Sequence, residues 1–197
     1  QVVASGQAGP ALLGLEVACG LESSAAAARI VRIALRRTEP AVLVRAIQVA
    51  AELDDPEVHG AMLDLFKRGP AELRPLALRH LGLHRVPAAA AVMEERVTSA
   101  HFHQLPINEQ LLICQTLGAT GGQRALDLGR RALRGHWRGA DPQRVAPWIL
   151  CLAAAGAPEA LEMLQWLEAN AGSWLGPLVA EVRTGLQATP GSGRSRP

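Results

Sequence analysis

The sequence predicts an all-α fold, an α-α superhelix built from four to five helical hairpins. Apolar residues make up 49% of the chain, yet aromatic residues make up only 3% and tyrosine is absent. That composition favours close packing of short helices over a β-sandwich, which uses more Thr, Tyr and Phe. Apolar positions recur at helical spacing in short segments, and proline or glycine turns separate these segments at regular intervals.

The first helical elements lead into an arginine-rich face. Residues 1–22 are predicted to form an N-terminal segment that is partly helical. The next helix begins near Ser24, and Arg29, Arg32 and Arg36 share one side of it at helical spacing. This stripe would suit an anionic partner, but exposed charges need no partner, so a solvated face is the simpler interpretation.

Two proline-containing junctions indicate where the following helices begin. Thr38 is the predicted N-cap of a helix that has Pro40 in its first turn. Asp55 is the predicted N-cap of a helix that starts at Pro56. The first of these two helices is polar along one narrow stripe, so it should lie between neighbouring helices.

The later segments repeat the pattern of two helices joined by a short turn. Helices are predicted at about 73–81, 87–99, 106–117, 123–133 and 174–186, with two more that begin after Pro142 and after Pro158. Gly82 is expected to end the first of these helices. Residues 188–197, which are rich in Pro, Gly, Ser and Arg, are predicted to be a flexible tail.

The glycine-rich stretch 118–122 invites two interpretations. A phosphate-binding loop would need a following Lys with Ser or Thr and a preceding strand, and neither is present in the sequence. The glycines are therefore predicted to end one helix in a left-handed conformation and to permit a sharp turn into the next.

The turns within successive hairpins recur at a nearly constant spacing. They centre near Pro56, Pro87, Gly122 and Pro158, which are 31, 35 and 36 residues apart. A period in this range, with short helices and short turns, is the signature of an α-solenoid. We therefore predict one repeat domain over residues 23–187.

Three of these junctions resemble the helix-turn-helix junctions of bacterial HEAT repeats. They are Leu-Asp-Asp-Pro-Glu-Val at 53–58, Leu-Gly-x-x-Gly-Gly-x-x-Ala-Leu at 117–126 and Leu-x-x-x-Gly-Ala-Pro-Glu-Ala-Leu at 152–161. The likeness covers roughly residues 24–187, and the copy at 70–99 departs from it because His84-Arg85-Val86-Pro87 occupies its turn. The resemblance implies a HEAT-type α-solenoid but no particular activity, since such repeats serve many functions.

Charge and composition weigh against several classes of protein. The formal net charge is only +2, which is too low for the general field of a nucleic-acid binder. No run approaches the ~20 apolar residues of a membrane helix, and no signal-peptide pattern is visible at the start. Cys19, Cys114 and Cys151 are too far apart for a zinc site or a disulfide framework, and they are predicted to be buried thiols. A cytoplasmic protein without membrane insertion is expected.

Two pairs of histidines are candidate metal ligands. His101 and His103 flank Phe102, but no third ligand lies at a suitable spacing, so Phe102 is predicted to be buried and the histidines exposed. His80 and His84 are four residues apart, but the predicted helix end lies between them, so this pair is expected to be structural. We therefore predict no metal site and no cofactor.

The strongest candidate binding surface is a basic ridge that follows the glycine turn. Arg130, Arg134 and Arg138 are four residues apart and should share one side of their helix. Trp137 is an aromatic anchor beside the ridge, and Glu162 is one of several acidic side chains on a helix of the next hairpin. Neighbouring basic and acidic ridges suit a protein or peptide ligand better than a phosphate backbone, or else they neutralise each other in a solvated surface. The predicted partner-binding residues are Arg130, Arg131, Arg134, Arg138, Trp137 and Glu162.

These patterns favour a non-enzymatic HEAT-repeat scaffold or adaptor that binds another protein or peptide. The alternative is a HEAT-like enzyme, similar to a DNA glycosylase or a bilin lyase, that acts on nucleic acid or on a protein-bound chromophore. A glycosylase of that kind needs a carboxylate and an aromatic residue in a basic cleft, for which Asp127 and Trp137 are the candidates. Self-association through exposed terminal repeats is a third hypothesis, and Trp166 and Trp174 are expected to seal the last hairpin.

Overall fold

The structure, a computed structural model, describes residues 8–21, 24–136, 141–170 and 176–182. All regular structure in these ranges is helical and no strand occurs in them, which confirms the predicted all-α class. The helices are α1 (Ala8–Cys19), α2 (Ser24–Ala34), α3 (Pro40–Ala50), α4 (Pro56–Arg68), α5 (Arg74–Leu83), α6 (Pro87–Thr98), α7 (Ile107–His136), α8 (Pro142–Ala155) and α9 (Pro158–Asn170). Residues 176–182 are also helical. In the ranges described, no helix has both the length and the apolar character that crossing a membrane requires.

The described residues form two compact units. Those up to Val86 belong to the first unit, with α1 to α5, and those from Pro87 belong to the second, with α6 to α9. The predicted domain limits at 23 and 187 and the predicted tail at 188–197 lie outside the described residues. Those boundaries therefore stay predictions, and so does the superhelical arrangement of the hairpins.

Two helices of the first unit begin at the prolines that the sequence singles out. Asp55 is the N-cap of α4, as predicted, and its Oδ1 accepts hydrogen bonds from two backbone N–H groups of the first turn at 2.9 and 3.0 Å. The N-cap of α3 is Glu39, so the prediction for Thr38 is wrong. The Glu39 side chain makes no capping bond because it binds the guanidinium of Arg37, and this hydrogen bond lowers the pKa of Glu39 to about 2.

The apolar faces of α1 to α5 form the core of the first unit. Most residues of α3 are buried, and its Gln48 is exposed, which agrees with the narrow polar stripe in its sequence. The largest fully buried side chains of this unit are Leu15, Met62, Phe66, Leu78 and Leu81. Each such side chain stabilises the fold by about 1.5–3 kcal/mol relative to an exposed position. This core fixes α4 and α5 against each other.

Helix α5 ends one residue later than the predicted end at Gly82, and this end determines the position of His84. The helix continues past Gly82 and closes with a Schellman motif. In this motif Val86 N–H donates to the Leu81 carbonyl at 3.0 Å, and Arg85 N–H donates to the Gly82 carbonyl at 3.2 Å. Arg85 takes the left-handed position, with a φ of 48°, which glycine more often fills. Gly82 therefore stays helical, and His84 directly follows the last turn.

Gly122 is the one non-helical residue inside α7. Its φ of 51° and ψ of −136° divide the helix into a first arm, residues 107–121, and a second arm, residues 123–136. The positive φ agrees with the predicted glycine turn, but the ψ lies outside the left-handed helical region, so that part of the prediction is wrong. The turn is shorter than predicted, however, because residues 118–121 stay helical.

Gly118 is required for packing instead of for the turn. A Cβ atom at this position would lie 2.0 Å from the carbonyl oxygen of Cys151 in α8. A Cβ atom at Gly129, on the second arm, would lie 3.0 Å from Leu152 Cδ2. The Cys151 thiol also lies 3.9 Å from the carbonyl oxygen of Ala125, to which it donates. Helix α8 therefore packs closely against both arms of α7.

The three cysteines differ in their exposure. Cys114 and Cys151 are fully buried, as predicted, and burial raises the pKa of Cys114 well above its usual value and that of Cys151 to about 12. Cys19 is exposed, so the prediction of a buried thiol is wrong there. The reason is its place as the last residue of α1, beyond the positions that the helix buries. Its sulfur accepts a hydrogen bond from Arg45 Nη2 at 3.7 Å.

Candidate functional site

The second arm of α7 carries the arginines that the sequence predicts to bind a partner. Arg130, Arg131 and Arg134 line a concavity of about 430 Å³ together with Asp127, and we call this surface the arginine concavity. Arg131 and Arg134 are exposed, and Arg130 is half-buried. The helical repeat explains the grouping, because residues three and four apart lie on one side of a helix. Three of the predicted binding residues are thus brought together.

The arginine concavity contains more positive than negative side chains. Among the described residues that line it, Asp127 is the only carboxylate, and its Oδ1 accepts a hydrogen bond from Gln123 Nε2 at 3.1 Å. Arg131 Nε donates to the backbone carbonyl of Asp127 at 3.3 Å. Within the described part of the chain, none of the arginines that line the concavity forms an ion pair. The concavity is therefore positively charged.

The other predicted members of this surface do not join the concavity. Arg124, on the same arm but not among the predicted binding residues, forms an ion pair with Glu94 of α6, with Nε and Oε2 2.8 Å apart. Glu162 is exposed on α9 but is not among the residues that line the concavity. Trp137 and Arg138 lie outside the described residues, and their role stays a prediction.

The aromatic residues of the second unit follow the predictions only in part. Phe102 is buried while His101 and His103 are exposed, as predicted. Trp166 is 48% exposed, so the expectation that it seals the last hairpin is wrong. Helix α9 buries Ala160, Leu164 and Leu167, and Trp166 does not lie on that buried face. Trp174 lies outside the described residues.

A second candidate site lies in the first unit and consists of Asp54, His59, His80 and His84, which we call the histidine cluster. Asp54 is in the loop between α3 and α4, and His59 is on α4. His80 is on α5, and His84 directly follows it. The three imidazole rings contact one another, with centroids 4.5, 5.2 and 5.2 Å apart.

Hydrogen bonds run from the surface into the core through His59. His59 Nε2 lies 3.0 Å from Asp54 Oδ1, and His59 Nδ1 lies 3.0 Å from His80 Nε2. His80 is only 2% exposed, and its burial, reinforced by His84 and His59, lowers its pKa to about 4. His80 is therefore neutral near pH 7, with one protonated ring nitrogen. Because Nδ1 has no hydrogen-bond partner among the described residues, the proton is better placed on Nε2, from which it is donated to His59.

His84 faces the same carboxylate. Its Nε2 lies 3.0 Å from the backbone carbonyl oxygen of Ala51, which can only accept a hydrogen bond, so the neutral ring carries its proton on Nε2. The lone pair of Nδ1 then faces Asp54 Oδ1 at 3.8 Å. In the neutral form of His84, neither of these two atoms has a proton to donate to the other. The Asp54 side chain is 85% exposed and that of His84 is 13% exposed, so a small cation can reach the pair from solvent.

The histidine cluster escaped the sequence prediction because it depends on tertiary packing. His80 and His84 were separated by the predicted helix end at Gly82, but α5 continues past that residue. His59 comes from the preceding helix, 21 residues before His80. The available signal was the presence of two closely spaced pairs, Asp54 with His59 near the start of one helix and His80 with His84 near the end of the next.

Comparison with known proteins gives no information about either site. No protein-family model matches the chain, and no curated protein is significantly similar to it. The HEAT-type repeat therefore stays a prediction from the junction sequences, and the function has to be inferred from the residues of the two sites.

Proposed function

We propose that this chain is a non-enzymatic helical-repeat scaffold of the HEAT type. In this proposal the arginine concavity binds an acidic segment of a partner protein. The observation that carries the proposal is the grouping of Arg130, Arg131 and Arg134 around one concavity with a single carboxylate, Asp127. The recurring two-helix units and the HEAT-like junctions support the scaffold part of the proposal.

Arginine is suited to this role because its planar guanidinium binds a carboxylate through two parallel hydrogen bonds. Within the described residues no acidic side chain forms an ion pair with these arginines. A ligand that supplies carboxylates would therefore find the guanidinium groups available. A single ion pair with an exposed guanidinium contributes little binding free energy because water screens it. The proposal therefore requires several such contacts to form together.

An acidic protein segment fits the surroundings better than a nucleic acid. The chain has a net charge of only +2, and Asp127 within the concavity would repel a phosphate backbone. Glu159 and Glu162 are also exposed in the second unit. A peptide can place its carboxylates selectively beside the arginines, whereas a nucleic acid carries a phosphate at every nucleotide.

The test is binding of a fluorescent polyglutamate peptide, measured by anisotropy at low and at high salt. The variant with Arg130→Glu, Arg131→Glu and Arg134→Glu is expected to bind roughly 10- to 100-fold more weakly, at about 0.5–1 kcal/mol for each reversed charge. Binding by the unmodified chain is expected to weaken as salt rises. The melting temperature should stay close to that of the unmodified chain, because Arg131 and Arg134 are exposed and Arg130 is half-buried.

A matched control reverses the same number of charges in the first unit. Arg29→Glu, Arg36→Glu and Arg79→Glu change exposed arginines on α2, on the turn after α2 and on α5, and they should leave peptide binding nearly unchanged. Equal weakening by both triple variants would show a response to net charge alone and would refute a specific surface. Tight binding of duplex DNA with little binding of the peptide would favour the DNA glycosylase-like alternative.

A further inference from the structure

The histidine cluster brings three possible metal-ligand atoms close together. One donor atom each from Asp54, His59 and His84 lie within 4.8 Å of one another. Asp54 Oδ1 is 3.0 Å from His59 Nε2 and 3.8 Å from His84 Nδ1. An ion held at about 2.0–2.1 Å from tetrahedral ligands separates them by roughly 3.3 Å. The two separations from Asp54 Oδ1 are therefore within about 0.5 Å of that value, and side-chain movement has to close the remaining separation between the two imidazole nitrogens.

We propose that Asp54, His59 and His84 bind one divalent transition-metal ion of the Zn²⁺ type. The proposal is independent of the arginine concavity, which lies in the other unit. Two imidazole nitrogens and one carboxylate oxygen suit zinc, whereas magnesium and calcium prefer sites made entirely of oxygen. Three protein ligands leave a fourth coordination position for water or for an atom of a partner.

His84 is already held in the form that a metal requires. A histidine that binds a metal through one ring nitrogen usually donates the other N–H to a carbonyl or a carboxylate. His84 donates from Nε2 to the Ala51 carbonyl, which leaves the Nδ1 lone pair toward Asp54 Oδ1. In the neutral ring, the Nδ1 lone pair and the carboxylate are both acceptors and do not attract each other. A cation between them would attract both.

His59 needs a change in the direction of its hydrogen bonds. A metal on Nε2 displaces the proton that Nε2 otherwise donates to Asp54. His59 then keeps its proton on Nδ1 and donates it to His80 Nε2, which is 3.0 Å away. The proton of His80 moves to Nδ1, so the number of protons on the two rings is unchanged. This N–H has no acceptor among the described residues, and metal binding has to outweigh the cost of leaving it unpaired. Buried His80 thus holds the His59 ring in place in both states.

The competing explanation is that the cluster only joins α4 to α5 through hydrogen bonds. That explanation also accounts for the contacts among Asp54, His59 and His80. It accounts for His84 through the hydrogen bond to the Ala51 carbonyl and, when the ring is protonated, an ion pair with Asp54, whereas a metal would bind the Nδ1 lone pair of the neutral ring. His84 is therefore the residue that separates the two explanations.

The test is titration of the metal-free protein with Zn²⁺, followed by calorimetry, with Co²⁺ as a spectroscopic probe. We expect one ion per chain, a rise in melting temperature on addition of Zn²⁺, and the strong visible absorption that Co²⁺ shows in tetrahedral sites. Asp54→Asn and His84→Ala should each weaken Zn²⁺ binding at least about 10-fold, because each removes one of three ligands. Far-UV circular dichroism establishes that each variant is folded.

The matched control removes two imidazoles from the second unit. His101→Ala and His103→Ala together delete exposed histidines and should leave Zn²⁺ binding unchanged. Absence of binding by the unmodified chain would overturn the proposal. So would equal affinity of the unmodified chain and His84→Ala, or equal weakening by the control, which would indicate scattered surface histidines.

Discussion

Replacing Gly118 by alanine would place a methyl group where the structure leaves no room for one. The new Cβ would lie 2.0 Å from the carbonyl oxygen of Cys151 and 3.1 Å from the Cβ of Ala154. Contacts between such atoms are normally at about 3.5 Å or more. The backbone of α8 lies on the opposing side, so no side-chain rotation relieves the contact. The two helices would have to move apart by more than about 1 Å at this crossing.

The expected loss follows from two opposing effects. Overpacking a tight contact costs about 1–3 kcal/mol. Alanine is a better helix former than glycine by about 1 kcal/mol, which offsets part of that cost. We therefore expect Gly118→Ala to lower the free energy of unfolding by about 0–2 kcal/mol, and by nearer 2 because the opposing atom belongs to the backbone of α8. For a unit of about 100 residues, each kcal/mol lowers the melting temperature by roughly 4–8 °C.

Urea unfolding followed by far-UV circular dichroism measures this loss, and two other glycines provide a graded comparison. A Cβ atom at Gly129 would meet the end of the Leu152 side chain at 3.0 Å, which can yield by rotating. A Cβ atom at Gly60, in α4, would have no atom within 4 Å. Gly60→Ala should therefore stabilise the protein by about 0.5–1 kcal/mol, and Gly129→Ala should lie between the other two variants.

The ranking is the decisive result. If Gly118→Ala is as stable as Gly60→Ala, α7 and α8 do not approach each other as closely as the structure indicates. If Gly118→Ala and Gly129→Ala lose the same free energy, the distinction between a backbone contact and a side-chain contact is wrong.

Two further predictions concern the cap of α4 and the thiols. Asp55→Ala should lower the free energy of unfolding by about 1 kcal/mol because its Oδ1 accepts two backbone hydrogen bonds, whereas Thr38→Ala should change it by less than about 0.5 kcal/mol. Urea titrations of both variants check this, and equal losses would contradict the cap assignment. A thiol reagent should label the folded chain once, at Cys19, and the denatured chain three times, because burial raises the pKa of both Cys114 and Cys151. Mass spectrometry counts the labels, and more than one label on the folded chain would contradict the burial of these thiols.

Local structure could be predicted where one residue type decides the conformation. Asp55 before a proline specifies a cap, because its carboxylate can reach the free N–H groups of the first turn. Gly122 can adopt a positive φ without strain. The predictions for Thr38 and Gly82 were wrong because neighbouring residues determined the local conformation. Glu39 followed Thr38 and took the cap position, and the helix that Gly82 was expected to end continued to a left-handed residue at Arg85.

The two candidate sites were not equally predictable. Helical periodicity alone groups Arg130 with Arg134, so the arginine surface could be anticipated from spacing. The same spacing places Asp127 beside them, because it precedes Arg130 by three residues and Arg131 by four. The histidine cluster depends on how α4 packs against α5, and no local pattern links His59 to His80.

The packing of α8 has a consequence for motion within the second unit. A glycine kink in a helix can act as a hinge, but α8 contacts the first arm of α7 at Gly118 and the second arm at Gly129, on either side of Gly122. Bending at Gly122 therefore requires α8 to detach from one arm, which couples the hinge to a local unfolding step. The arginine concavity lies on the second arm. Helix α8 therefore fixes the orientation of the concavity within this unit, although α8 contributes no residue to it.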